Sequence, residues 1–276
     1  MHKNKGSKYR NKSKPAVGDK ARETLENIDD NNPVIQLFKG YAAELDDKHD
    51  RYERIVKLSR DCTIESKRII FLLHNVNTDI ESKRVTVLNE AQERLNALIN
   101  THFKSIALEL KGHDSYLYTR AYTSGVQEFI EAYTFYQFIL SENIGDWKSF
   151  DALFKYSDEE NGEFSLLFTQ NDYILGLGDL TGELMRRCIN TLGVGNTSEC
   201  FKLCNYVKAI NTGFIGLIAP GNKELGRKAY TLRQSLSKME LVCYNIQIRG
   251  QEIPKHMLMS VIESSDVKDD DDEGYY

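Results

Sequence analysis

Residues 33–75 read PVIQLFKGYAAELDDKHDRYERIVKLSRDCTIESKRIIFLLHN, and apolar side chains return through them at three- and four-residue steps. Ile35, Phe38, Ala42, Leu45, Tyr52, Ile55, Val56, Cys62, Ile69, Ile70 and Leu73 carry that period, which predicts one long amphipathic helix to about Asn75. Pro33 suits a first helical turn, where its missing N–H costs nothing, and the preceding Asp29-Asp30-Asn31-Asn32 offers capping oxygens.

The same period governs the rest of the chain. A second helix is predicted from roughly Ile80 to Leu110, ended by Gly112, and a third from near Asp114 to about Leu140, crowded with aromatic residues. A fourth covers about Asp172 to Leu192 and stops at Gly193/Gly195; a fifth covers about Ser198 to Asn211. Gly213 to Gly221 is predicted as an apolar, glycine-rich connector, followed by a long sixth helix from about Lys223 to Arg249. Gly250 ends that helix, and Pro254 can start a last short turn. Between Ser141 and Thr169 the pattern weakens. A short helix fits around Asp146 to Tyr156, Asp158 to Gly162 is a polar loop, and Phe164 to Phe168 is an apolar run that periodicity does not assign. With no repeat and no strand–helix alternation, the expected fold is all-α, a multi-helix bundle.

Apolar residues at 41% and charged residues at 28% are ordinary for a globular chain. All four prolines fall at or outside the ends of periodic segments. The five cysteines contain no C-x-x-C pair and read as buried free thiols of a reducing compartment. The first residues lack the apolar run of a signal peptide, and no stretch approaches the ~20 apolar residues of a membrane span, so a cytoplasmic and nuclear location is expected.

The net charge of -5 conceals an asymmetry: residues 1–22 hold eight Lys and Arg against Asp19, whereas the far end reads DVKDDDDEGYY. Both ends lack a core-forming pattern, which divides the chain into a disordered basic arm over 1–30, a single helical domain over 31–262 and an acidic disordered tail over 263–276. The basic arm suits nuclear import or a loose RNA contact, and equally a solubilising tail.

The nucleotide-binding motifs G-x-x-x-x-G-K-[ST] and G-x-G-x-x-G, the H-E-x-x-H metal motif and the G-x-S-x-G elbow are all absent. His2 lies in the basic arm, and His49, His74, His102, His113 and His256 are scattered over separate segments, where each reads as a surface or helix-end residue. Carboxylates remain. In GVQEFIEA (125–132), Glu128 and Glu131 are three apart and share a face of a helix that is apolar over most of its circumference. Two such acids repel and lose hydration, which is expensive without a cation.

In YILGLGDLTGELMRR (173–187), Asp179 and Glu183 sit one turn apart, in line with Asp172, Arg186 and Asn190. That stripe also fits a solvated face with Arg186 or Arg187 as ion-pair partners. Against this stand Gly176, Gly178 and Gly182, each costing about 0.8–1 kcal/mol inside a helix, which points to a helix or a substrate lying close on the backbone. If the two helices face each other, four oxygen-donor acids converge, a set suited to Mg²⁺ or Mn²⁺ and to phosphodiester hydrolysis. An inward acid pair can equally take Lys or Arg. Arg54, Lys57, Arg60, Lys67 and Arg68 form a basic stripe on the first helix, either a nucleic-acid path or ordinary ion-pair decoration shared with Glu53 and Asp61.

Several segments in order resemble the trax group of the translin family: KHDRYER (48–54), VKLSRD (56–61), ESKR (65–68), GVQEFIEA (125–132), GDLTGELMR (178–186) and RGQEIPKHML (249–258). The resemblance spans about residues 33 to 260. It implies a translin-type fold of about seven helices, assembly with translin into a hollow hetero-octamer, and Mg²⁺-dependent cleavage of single-stranded RNA, including the passenger strand in small-RNA silencing. It further implies that Glu128, Glu131, Asp179 and Glu183 are the catalytic, metal-holding acids, a set that translin itself lacks. The alternative is a non-catalytic RNA-binding or scaffold partner of translin. Residues 141–169 match no pattern of the family.

Overall fold

The computed structural model describes residues 31–76, 81–193, 195–217 and 222–249. The basic arm, the acidic tail and the turn expected from Pro254 lie outside them. The long first helix, α1, is Pro33–His74, and Asn32 opens it by accepting the backbone N–H of Val34 at 2.9 Å. The second, α2, runs Glu81–Leu98, passes through a π-helical turn at Ile99–Phe103 and continues over Lys104–Leu110. Then come α3 (Thr119–Ser141), the short α4 (Trp147–Leu153), α5 (Gln170–Gly193), α6 (Thr197–Leu217) and α7 (Lys223–Arg249). With α2 taken as one bent helix, the described residues form seven helices. The all-α expectation holds. None of these helices is long and apolar enough to cross a membrane.

The chain divides into two units, residues 1–51 and 52–276. The described part of the first is helical from Pro33 onward, is tied along its length by Lys48–Glu44 and Arg51–Asp47 pairs, and exposes Val34, Leu37, Phe38, Tyr41 and Leu45. Such a row of apolar side chains in water is unfavourable unless a partner covers it.

In the second unit α1 buries Ile55, Cys62, Ile69, Ile70 and Leu73 of the expected stripe, and with them Ser59 and Ser66, which an apolar period does not single out. The most enclosed helix is α3: Phe129, Ile130, Ala132 and Phe135 are fully buried, and its chief packing partner is α5, which also packs on α6 and α7. Edge-on aromatic contacts of Phe129 with Phe103 of α2 and with Phe154 at the end of α4 fill the space on that side. All five cysteines are free and buried, as expected.

Two segments differ from the sequence reading. The weakly patterned stretch contains a hairpin, β1 (Lys155–Asp158) paired antiparallel with β2 (Gly162–Ser165), with Tyr156 opposite Phe164 and their rings stacked 5.5 Å apart. Four-residue strands are too short for alternation to show, but their turn is written locally: Asp158 accepts the N–H of Asn161 at 2.6 Å, and Gly162 takes φ +64°. The expected connector from Gly213 is instead helix as far as Leu217, because Phe214 is buried and its packing outweighs two glycines costing about 1 kcal/mol each. Asp146 and Ser149 form the reciprocal cap that starts α4. Helix α3 ends on Glu142 in a left-handed conformation.

Candidate active site

Two glycines determine how near the acid-bearing helices come to one another. A β-carbon at Gly125 of α3 would stand 2.6 Å from Ser59 Oγ and 2.7 Å from the Ser59 carbonyl oxygen of α1. One at Gly176 of α5 would stand 2.8 Å from Ile130 Cβ and 2.9 Å from the Gln127 carbonyl oxygen of α3. Only hydrogen fits at either position, so α1, α3 and α5 approach to backbone contact. This answers half of the question raised by the glycines of α5: at Gly176 the close neighbour is another helix.

The approach brings all four acids to one place. Glu128, Glu131, Asp179 and Glu183 line a single cavity of about 520 Å³ together with Lys67, Ile70, Phe71, Arg186 and Lys228. The stripe of α5 that read equally well as a solvated face is therefore turned inward at Asp179 and Glu183, and Asp172 is itself buried. The acids differ in surroundings. Glu131 is 9% exposed, and desolvation, reinforced by Asp179, Glu128 and Glu183, pushes its carboxyl up to about 9. Burial also raises Glu128, while Lys67, 3.3 Å away, pulls it back down. Asp179 accepts a hydrogen bond from Lys228 of α7. Glu183 accepts one from Nε2 of His74 and has Arg186 at 3.8 Å.

Among the described residues, no three His, Cys, Asp or Glu side chains lie close enough to hold a metal ion as they stand. In chemistry the cavity nevertheless suits one. Its acids supply oxygen donors alone, and one of them is too deeply buried to ionise readily without added positive charge. Lysine ammonium groups already sit against two of the four.

The basic stripe of α1 is divided among several tasks. Lys67 enters the acidic cavity, Arg54 makes a two-pronged pair with Glu109 at 2.9 Å, and Arg68 meets Glu65 at 3.5 Å. Lys57 and Arg60 are exposed.

Two residues that contact the acids of the cavity escaped the sequence reading. His74 does lie at a helix end, but its side chain is only 7% exposed and packs on the ring of Phe135, 4.9 Å between centroids. Its signal was the seven-residue step from Lys67, two turns along the same face. Lys228 gave no signal, since a lysine on an amphipathic helix looks alike whether it faces water or an acid.

The sequence matches the Translin family over residues 50–250. It is 38% identical over 271 residues to translin-associated protein X of Pongo abelii, covering 92% of each chain. To the translin-associated protein X homolog of Schizosaccharomyces pombe it is 27% identical, covering 77% of this chain and 87% of that one. Human translin is more distant, at 21% identity over 79% of this chain and 94% of its own. In three dimensions the fold resembles apo-NeC3PO, with a TM-score of 0.56 at 20% identity over 76% of this chain and 95% of that one. It also resembles the AfC3PO–duplex RNA complex, with a TM-score of 0.54 at 16% identity over 84% of this chain and 99% of that one.

Proposed function

Because this chain belongs to the translin family, we propose that it is the catalytic subunit of an Mg²⁺-dependent endoribonuclease that cleaves single-stranded RNA when assembled with translin. Passenger-strand removal in small-RNA silencing, in cytoplasm and nucleus, is the biological setting of this reading. The observation that carries it is that Glu128, Glu131, Asp179 and Glu183 line one cavity, with Glu131 the most buried of them. A carboxyl pushed up to about 9 by burial and by three neighbouring acids destabilises an empty cavity and becomes favourable once a cation enters.

Glu128, Glu131, Asp179 and Glu183 would hold the ion, Mg²⁺ or Mn²⁺ in its place. A bound ion of this kind acidifies water and neutralises charge on a phosphodiester under attack. The protein's own groups do the rest. His74 orients Glu183 through Nε2. Lys67 and Lys228, now paired with Glu128 and Asp179, lie where released ammonium groups would meet the phosphates of an RNA strand. RNA as the ligand class, though not its single-stranded form, is supported by the AfC3PO neighbour, solved with duplex RNA bound. Assembly is supported by the exposed apolar rows, Val34 to Leu45 and Tyr230, Leu241, Tyr244 and Ile248 of α7.

One observation favours a second reading, in which the acids are structural and the chain is a non-catalytic RNA-binding or scaffold partner: Lys67 and Lys228 already pair with two of them, and His74 holds a third by a hydrogen bond. Cleavage of a single-stranded oligoribonucleotide by the translin-assembled complex separates the two. Glu131→Gln and Asp179→Asn are expected to assemble normally and lose more than about a hundredfold in rate, as does the wild type in EDTA. Wild-type rates from either assembled variant would leave only the second reading.

A further inference from the structure

Beside the acidic cavity lies a second one that the sequence reading did not suspect. It measures about 490 Å³, within the size range of small-ligand sites, and three helices line it: Thr123, Ser124 and Gln127 from α3, Gly178 and Gly182 from α5, and Arg227 and Thr231 from α7, among others. Asp179 and Lys228 line both cavities, so the two share a wall. The stem of Lys228 forms part of it, since a β-carbon on Gly178 would stand 3.2 Å from Lys228 Cβ.

Part of the lining of this second cavity is held in place by a buried acid behind it. Asp172, 8% exposed, accepts hydrogen bonds from Thr123, from Gln127 at 3.2 Å and from Thr169 at 2.6 Å. A buried carboxylate thus fixes two of the polar side chains that line the space, the kind of support that keeps a recognition group in one rotamer. The lining offers hydroxyl, amide, ammonium and guanidinium groups, which suit a base edge, a ribose and a phosphate, beside the carboxyl groups of Asp179 and Glu224.

The three glycines of α5 now separate into distinct roles. Gly176 lets α3 approach and Gly178 makes room for Lys228, whereas a β-carbon on Gly182 would meet nothing within 4 Å. Glycine there costs helix stability and accommodates no neighbour within the chain. What it leaves is open space in the second cavity.

We propose that this cavity, lined by Gly182, Thr123 and Gln127, is the subsite that seats the nucleotide adjoining the scissile phosphate of a single-stranded RNA. The assignment rests on the nuclease reading for its substrate. The shared wall at Asp179 and Lys228 then lies between the base and the bond to be cut.

Gly182→Leu tests it. The substitution favours the helix and fills the cavity, so the translin-assembled variant is expected to be at least as stable as the wild type. Its affinity for a single-stranded oligoribonucleotide, measured by fluorescence anisotropy in EDTA, is expected to fall about tenfold, the scale of one lost base contact. Gly182→Ala, which leaves most of the space open, is expected to bind nearly as the wild type does. In the wild-type complex under EDTA, an oligoribonucleotide carrying 4-thiouridine is expected to photo-crosslink to peptides containing Ser124, Thr231 or Arg227. Unchanged RNA affinity in Gly182→Leu, or crosslinks confined to other surfaces, would overturn the subsite. Should Gly182→Leu fail to assemble, the crosslinks decide alone. Failure of the nuclease reading looks different: Glu131→Gln then cleaves normally, whatever Gly182→Leu does to binding.

Discussion

The two acidic pairs face one cavity and are held there in opposite ways. On α3, Glu131 has, among the described residues, no cation in hydrogen-bonding contact and is driven toward its neutral form by burial and by its acidic neighbours, while at Glu128 Lys67, and to a smaller extent Lys228, offset part of the desolvation. On α5, both acids have donors in place, Lys228 on Asp179 and His74 on Glu183. Burial on one wall creates a demand for positive charge, whereas on the other Lys228 of α7 supplies it and His74 of α1 adds a hydrogen bond. Substitution should therefore act oppositely on the two walls. Neutralising Glu131 relieves a cost, whereas removing His74 or Lys228 exposes one.

The widest break in this arrangement is expected at the helix contact that creates it. Gly176→Ala gains about 1 kcal/mol of helix propensity but drives a β-carbon into Ile130 and the Gln127 carbonyl, and the carbonyl is backbone that cannot swing aside. Overpacking should win, with a net loss of about 2 kcal/mol in denaturant unfolding and a parallel loss of cleavage as the two acidic pairs separate. A variant as stable as the wild type would show that α3 and α5 do not meet this closely. Gly182→Ala on the same helix is the control, since it has room.

A smaller effect sharpens the α5 side. His74 touches Glu183 and is a positioning residue. His74→Leu leaves that acid without its donor and should weaken Mn²⁺ binding, read by electron paramagnetic resonance, by roughly ten- to a hundredfold, as losses around metal ligands usually do. His74→Gln keeps an N–H and should recover part of that affinity. If the leucine and glutamine variants bind Mn²⁺ equally, the histidine serves packing on Phe135 alone.

These residues also mark where sequence was sufficient. The stripe of α1 and the aromatic crowding of α3 follow from a 3.6-residue period that burial enforces, so both helices were legible. Glu128 and Glu131 stood out because charges inside an apolar circumference are anomalous wherever they occur. Asp179 and Glu183 did not, because one stripe of carboxylates looks the same toward water or toward another helix. Which way it faces is decided by Gly176 meeting Ile130, a contact 46 positions apart in the chain. Helix α6 was cut short at Gly213 because the partner that buries Phe214 is equally non-local, and the hairpin at 155–165 was missed because four-residue strands show no period. Pairings such as Lys228 with Asp179 and His74 with Glu183 belong wholly to the tertiary structure.

The smallest effect tests the α3 side by pH. Free of the fold, Glu131 titrates near the ordinary carboxyl value of 4.5; in the fold its carboxyl is pushed up to about 9. Below the lower value both states hold the proton and the fold loses nothing at this position. As pH rises through the interval, the unfolded chain releases a proton that the folded chain retains, so the stability tied to the neutral carboxyl is lost up to about pH 9. The amide that Glu131→Gln puts in its place has no proton to release. In complex dialysed against EDTA, this variant should melt with the wild type at the acid end of the window and progressively above it toward pH 9, by on the order of 5 °C at pH 8. Added Mg²⁺ should close the gap from the wild-type side, because an ion held by the ionised acids raises the melting temperature of the wild type alone. A gap that stays constant with pH would mean that Glu131 titrates as a solvated acid does, and the difference drawn between the two walls of the cavity would disappear with it.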